Sequence, residues 1–153
     1  MASVLQNIYL FKDLSPAELQ KIEKVAKEKQ YSAGQDVFMK DDKASALYVI
    51  QMGGVKITNQ NKKGDDVRVA QIGSGAHFGE IAFLDGEKRS ASAQVAEPST
   101  ILELSYESLK AVLDSDPILA SKVYRSIALY LAGRLRVTTE DLNKAKDQNI
   151  RSF

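Results

Sequence analysis

The segment His77-Phe78-Gly79-Glu80-Ile81-Ala82-Phe83-Leu84-Asp85-Gly86-Glu87-Lys88-Arg89-Ser90-Ala91-Ser92 sets the reading of the whole chain. Gly73, Gly75 and Gly79 lead into it, and glycine permits positive φ and close backbone approach. Residues 80–85 leave room for about one helical turn. The free N–H groups and partial positive charge at the start of a helix suit an anion. Arg89 adds a fixed positive charge with paired donors that fit a phosphate. Glu80 offers two acceptors for hydroxyls such as those of a ribose. A phosphate reader beside a sugar reader points to a nucleotide. The same residue types also fit a plainer arrangement, in which Glu80 pairs with Arg89 as a structural bridge and Phe78, Ile81 and Phe83 are core. The spacing is not a dinucleotide fingerprint, because Gly73-x-Gly75 lacks its third glycine and no long helix follows. No P-loop Lys-Ser/Thr is present.

On both sides the chain reads as short strands between turn signals. They are Asp36 to Met39, Leu47 to Ile50, Val55 to Thr58 after a Gly53-Gly54 turn, and Val67 to Ile72 after the polar loop Asn59 to Asp66. Ala91 to Ala96 and Thr100 to Leu104 follow, separated by Glu97-Pro98-Ser99. This spacing predicts a β-sandwich or barrel. Helices flank it. Ser15-Pro16-Ala17-Glu18 forms a capping box, and Leu19, Ile22, Val25 and Ala26 follow at helical spacing, predicting a helix over 16–29. Ser105 caps a short helix to about Asp114. Asp116-Pro117 opens a long one reaching Asn149. There Val123, Ile127, Leu131, Leu135, Thr138, Leu142 and Ala145 form a seam approaching the coiled-coil period. Such a helix spans roughly 50 Å, more than one small barrel can cover, so a partner helix is expected. The organisation is one domain over 1–153: a helix at 16–29, a barrel over 30–104 containing 78–92, and helices over 106–149.

Phe78-Gly79-Glu80-Ile81-Ala82 followed by Arg89-Ser90-Ala91-Ser92 closely resembles the phosphate-binding cassette of the cyclic-nucleotide-binding domain family. The resemblance covers nearly the whole chain, through the Phe11-Lys12-Asp13-Leu14-Ser15 entry, the Gly53-Gly54-Val55 turn and the closing helix. It implies a mainly β fold, an eight-stranded jelly-roll-like barrel with flanking helices. It also implies the site. Glu80 takes the ribose 2′-hydroxyl, and Arg89 pairs with the cyclic phosphate. Ser90 and the backbone amides near Ala82 and Ala91 complete the cradle, with Ile81 in the same run. Gly79 lets the backbone close on the sugar. Val69 faces the base from the preceding strand, or is plain core.

Arg134 to Glu140 resembles the C-terminal helix of bacterial activators in that family. In them, two hydroxyl residues at the positions of Thr138 and Thr139 reach the adenine amino group, one from each subunit of a dimer. The alternative is that these threonines are polar seam residues that set register. The resemblance implies cAMP rather than cGMP as ligand, although Ser90 carries a hydroxyl that serves guanine in some members. It implies a homodimer through the C-terminal helix and a downstream protein that the sequence does not name. The activators continue into a DNA-reading helix-turn-helix, whereas Lys144 to Phe153 is too short for two helices and a turn. No specific DNA binding is therefore expected of this chain, whether as a stand-alone sensor or as part of a larger protein.

Composition sets the outer limits. The 153 residues, 44% hydrophobic and 27% charged, suit one ordinary globular domain. Lys and Arg number 21 and Asp and Glu 20, for a net charge of +1, which removes the simplest argument for nucleic-acid binding. With no Cys, disulfides, thiolate metal sites and thiol nucleophiles are excluded. No signal-peptide pattern and no run near the ~20 apolar residues of a membrane span are present, so a cytoplasmic, membrane-free setting is expected. Nothing pairs a nucleophile with a base, and one His cannot supply a phosphodiesterase metal set, so no enzymatic activity is expected. Two other readings remain. One is a haem or other small-effector sensor with His77 as imidazole ligand; the other is a ligand-free module whose long helix dimerises or docks.

Overall fold

The capping box at Ser15 forms as the sequence predicts: the Ser15 hydroxyl accepts from the Glu18 amide, and the Glu18 carboxylate accepts from the Ser15 amide. It starts helix α1, Pro16–Glu23. The computed structural model describes residues 4–60 and 63–151. Two 3-10 turns, Val4–Asn7 and Tyr9–Phe11, precede α1. The chain then runs through strands β1 (Ala26–Tyr31), β2 (Asp36–Phe38), β3 (Ala46–Gln60), β4 (Asp66–Gly73) and β5 (His77–Phe78). Helix α2 (Ile81–Asp85), strand β6 (Ser92–Ser105), helix α3 (Tyr106–Ser115) and helix α4 (Pro117–Arg151) complete it. The ends of the 1–153 domain and the tip of the Asn59 to Asp66 loop lie outside the described residues.

Four expectations need correction. The helix expected over 16–29 stops at Glu23, and residues from Ala26 onward form β1. Local helical spacing loses here to long-range pairing: β1 lies antiparallel to β6 in unbroken register from Ala26↔Leu104 to Tyr31↔Ser99. Lys29 adds an ion pair to Glu103 at 2.6 Å. As a sheet edge, β1 exposes its lysines and glutamate, which discourages further pairing.

The Gly53-Gly54 turn is not a turn. Both halves belong to β3, whose register against β6 shifts repeatedly between Ile50 and Val55. Gly53 sits at φ +112° with no room for a side chain, because a Cβ there would lie 2.0 Å from the Ser99 hydroxyl. That hydroxyl accepts from the Gly54 amide at 3.1 Å. The same bulge absorbs Glu97-Pro98-Ser99, so the two expected strands over 91–104 are one strand, β6. Pro98 is tolerated because it has no partner in the β3 register.

Finally, the barrel does not close. Among the described residues the strands form one six-stranded sheet in the order β1-β6-β3-β4, with β2 paired to β6 and β5 to β3. Bulges in the two long strands bend this sheet. The first half of β3 carries β5 and the second half carries β4, while β6 carries β2 at its start and β1 at its end. The jelly-roll-like architecture survives with an open hydrogen-bonding path.

Alternation along β3 places side chains on opposite faces. Leu47 and Val49, with Leu104 of β6, face a helical core of Leu5, Ile8, Leu10, Phe11, Ile22, Leu109, Leu113, Leu119, Val123 and Ile127. Ala46, Tyr48 and Ile50 face the inside of the bent sheet with Phe78, Val95 and Ile101. Each fully buried large apolar side chain contributes roughly 1.5–3 kcal/mol. Helix α4 is capped by Asp116, whose carboxylate accepts from the Leu119 amide at 3.1 Å. It then divides. Val123 and Ile127 are buried and Leu131 packs against the helical core, but residues 132–147 are all exposed, including Leu135 and Leu142. The seam expected to be continuous is half used within the chain. Among the described residues no helix is long and apolar enough to cross a membrane.

Candidate functional site

The bent sheet, α2 and α4 enclose a cleft of about 560 Å³, within the ordinary range of small-molecule sites. Its walls are Ile57 of β3, Val69 and Ile72 of β4, the run His77 to Ala82, residues 87–91, and Tyr130 and Arg134 of α4. Of the expected site residues, Val69, Gly79, Glu80, Ile81, Ala82, Arg89, Ser90 and Ala91 are brought together here. Thr138 and Thr139 are not. They lie exposed on α4 beyond Arg134, with the Thr139 hydroxyl donating to the Leu135 carbonyl at 2.8 Å.

Arg89 is 4% exposed, and its guanidinium is held by groups without negative charge. One terminal nitrogen donates to the Ala46 carbonyl at 2.6 Å. The other donates to the Gly79 carbonyl at 3.3 Å and to the Tyr106 hydroxyl at 3.0 Å. The Phe38 ring lies 4.0 Å from the guanidinium carbon, a cation–π contact. Nε is buried without a partner. The backbone of Arg89 is fastened on both sides: Arg89 N donates to the Asp42 carbonyl and Asp41 N to the Arg89 carbonyl, each at 2.9 Å. The Lys40-Asp41-Asp42-Lys43 loop thus aims the arginine. Tyr106 also hydrogen-bonds the Gly79 carbonyl. Burial raises the Tyr106 phenol above its ordinary pKa, partly offset by Arg89.

Gly79 is required by this packing. It sits at φ +87°, and a Cβ there would meet Arg89 Nη1 at 2.9 Å and the Ala46 carbonyl at 3.2 Å. The glycine therefore makes room for the arginine.

Glu80 is 2% exposed and occupies the N-cap position of α2, yet its side chain makes no capping bond. Its carboxylate faces His77 Nδ1 at 3.5 Å. The structural Glu80–Arg89 bridge is therefore not what forms. Phe78 is core, stacked on Tyr48 at 5.1 Å. Ile81 is 43% exposed and Val69 58% exposed, so neither is core.

Sequence reasoning missed Phe38, Tyr130 and Arg134. The Tyr130 ring lies 4.4 Å from that of His77, and Arg134 stands over Tyr130 at 5.9 Å. The residues flanking the Val123-Ile127-Leu131 seam held no sign that one would face a cleft some fifty residues earlier in the chain. Among the described residues no group of three or more His, Cys, Asp or Glu side chains is placed to hold a metal ion.

An open cup with a buried cation and a buried carboxylate, bounded on one side by a long terminal helix, has the form of a small-ligand binding domain. The chain belongs to the cyclic nucleotide-binding domain family, whose model matches residues 28–116, more than half of its length. It is similar to a cyclic AMP receptor protein of Thermus thermophilus, at 30% identity over 94% of this chain and 64% of that one. The crystal structure of the Thermus thermophilus catabolite activator protein superposes with a TM-score of 0.79 at 30% identity, covering 88% of this chain and 62% of that one. The regulatory domain of Toxoplasma gondii PKA, crystallised with cAMP, gives 0.68 at 25% identity over 71% of this chain and 41% of that one. The chain thus spans less than two thirds of these relatives. It is a cyclic-nucleotide-binding regulatory domain.

Proposed function

We propose that this chain is a cAMP sensor that performs no reaction of its own and signals through α4. One observation carries the reading. Arg89 and Glu80 are both almost wholly buried in one cleft and do not pair with each other. A buried charge is costly unless compensated. A ligand that is anionic at one end and rich in hydroxyls at the other compensates both. In this reading Arg89, Ser90 and the amides near Ala82 and Ala91 hold the cyclic phosphate. Glu80 accepts from the ribose 2′-hydroxyl beside Gly79 and Ile81. Val69, exposed on the wall, lies against the base. Relatives that are cAMP receptors or carry cAMP support adenine over guanine.

Thr138 and Thr139 reach the base only from the α4 of a second copy. The exposed Leu135, Val137 and Leu142 support such a homodimer. The setting we infer is cytoplasmic, and the downstream partner is a protein. Calorimetric titration of nucleotide-stripped protein with cAMP tests the reading. Binding at micromolar affinity or tighter is expected, with cGMP weaker. No heat from folded, stripped protein with either nucleotide overturns it.

A further inference from the structure

We propose that His77 is a positioning residue for Glu80: the proton on its imidazole sets how much of the carboxylate is available to a ligand hydroxyl, so nucleotide affinity falls as the solution is acidified. The proposal rests on the cyclic-nucleotide reading above. His77 is the only histidine in the chain. It is 5% exposed on β5, and neither ring nitrogen has a hydrogen-bond partner. Its Nδ1 nevertheless stands 3.5 Å from Glu80 Oε2. That exceeds the ~2.7–3.2 Å of an N–H···O hydrogen bond. An imidazolium has N–H donors on both nitrogens, and a charge-assisted bond to a carboxylate is short and strong.

The other groups around the ring leave Glu80 as the partner. Tyr130 of α4 covers the imidazole at 4.4 Å between centroids. Arg134 lies over Tyr130, and Tyr9 packs on Tyr130 with Lys12 beyond it. Arg89 approaches only as far as the Gly79 carbonyl. Glu80 is the one carboxylate at ion-pair distance from His77 among the described residues.

Imidazole is the side chain whose ordinary titration, near ~6.5, falls between pH 5 and 8. When protonated, His77 engages the carboxylate that the proposed sugar hydroxyl also needs. Binding then favours the neutral ring and releases a proton, so affinity falls as pH falls. Release of up to one proton on binding changes affinity by at most about tenfold per pH unit, and a loss of about fivefold is expected from about pH 7.5 to about pH 5.5.

The experiment is a calorimetric titration across that range with cAMP and with 2′-deoxy-cAMP, on wild-type protein and on His77→Gln. The expected result is a loss of about fivefold for wild type with cAMP, and flat profiles for His77→Gln and for the deoxy ligand. The deoxy arm needs no variant and stands even if His77→Gln folds poorly. A flat wild-type profile overturns the proposal. So does an equal slope with the deoxy ligand, which would place the effect on the phosphate, or an equal slope in His77→Gln. Absence of binding at every pH overturns the nucleotide reading itself, and this proposal with it.

Discussion

Arg89→Ala separates a ligand-binding arginine from a structural one. The change removes three hydrogen bonds, to the carbonyls of Ala46 and Gly79 and to the Tyr106 hydroxyl, and a cation–π contact with Phe38. It also removes a buried cation with no carboxylate partner, whose desolvation costs several kcal/mol. For folding these effects oppose each other. An unsatisfied Ala46 carbonyl costs about 1–3 kcal/mol, against relief of the desolvation. The net change should lie within about 2 kcal/mol, or about 4–8 °C in Tm at roughly 2–4 °C per kcal/mol. For binding they do not oppose. A cyclic phosphate carried into the cleft without Arg89 is itself an uncompensated buried charge, costing about 3–5 kcal/mol. That is roughly 150–4,000-fold in Kd. Calorimetry with cAMP and thermal unfolding of the same preparation check both halves. An affinity loss under tenfold, or a collapse of Tm with affinity intact in the folded fraction, refutes the reasoning.

Gly79→Ala should lower cAMP affinity at least tenfold and destabilise by about 1–2 kcal/mol from positive φ alone, since the new Cβ displaces Arg89; unchanged Kd in the folded variant counts against the packing described. Acid should loosen α1 from α4. A hydrogen bond from Lys122 holds the Glu18 carboxyl below its ordinary range, and one from Lys21 does so for Asp116. Groups depressed on folding stabilise fully above the ordinary carboxylate range near ~4 and lose that contribution as pH falls through the folded values. The Tm of wild type should therefore fall more steeply below about pH 4.5 than that of Glu18→Gln, and parallel curves would contradict the clamp. Leu135→Lys with Leu142→Lys should shift sedimentation toward monomer without altering Tm at low concentration; an unchanged dimer fraction places the interface elsewhere.

The part of the candidate site that the fold gathers into one cleft was legible because it is local. Gly79, Glu80, Arg89 and Ser90 lie within a dozen residues, and one cassette carries the glycine, the carboxylate and the arginine together. The capping box at Ser15 and the Ser105 cap were legible for the same reason: a cap is a bond across three residues. What failed was long-range. Val25 and Ala26 continue a helical spacing, and only pairing with Leu104, far along the chain, turns that stretch into a strand. Gly53-Gly54 looks like a turn until Ser99 is placed against it. Barrel closure depends on edges that no single segment specifies.

In the proposed reading, α4 carries the signal from the wall of the cleft. Its first turns are fixed by the Asp116 cap, the Lys21–Asp116 and Lys122–Glu18 pairs, and the burial of Leu119, Val123 and Ile127. Its later turns, residues 132–147, are exposed. Tyr130 and Arg134, the two residues facing the cleft, sit at the boundary between those halves. A ligand that presses on them acts where the helix stops being held. About 17 residues beyond Tyr130 rise roughly 25 Å, so a tilt of about 10° there carries residue 147 about 4 Å sideways. That is comparable to the spacing between seam positions on a facing helix. A shift too small to disturb the buried half would still change which residues of two such helices meet.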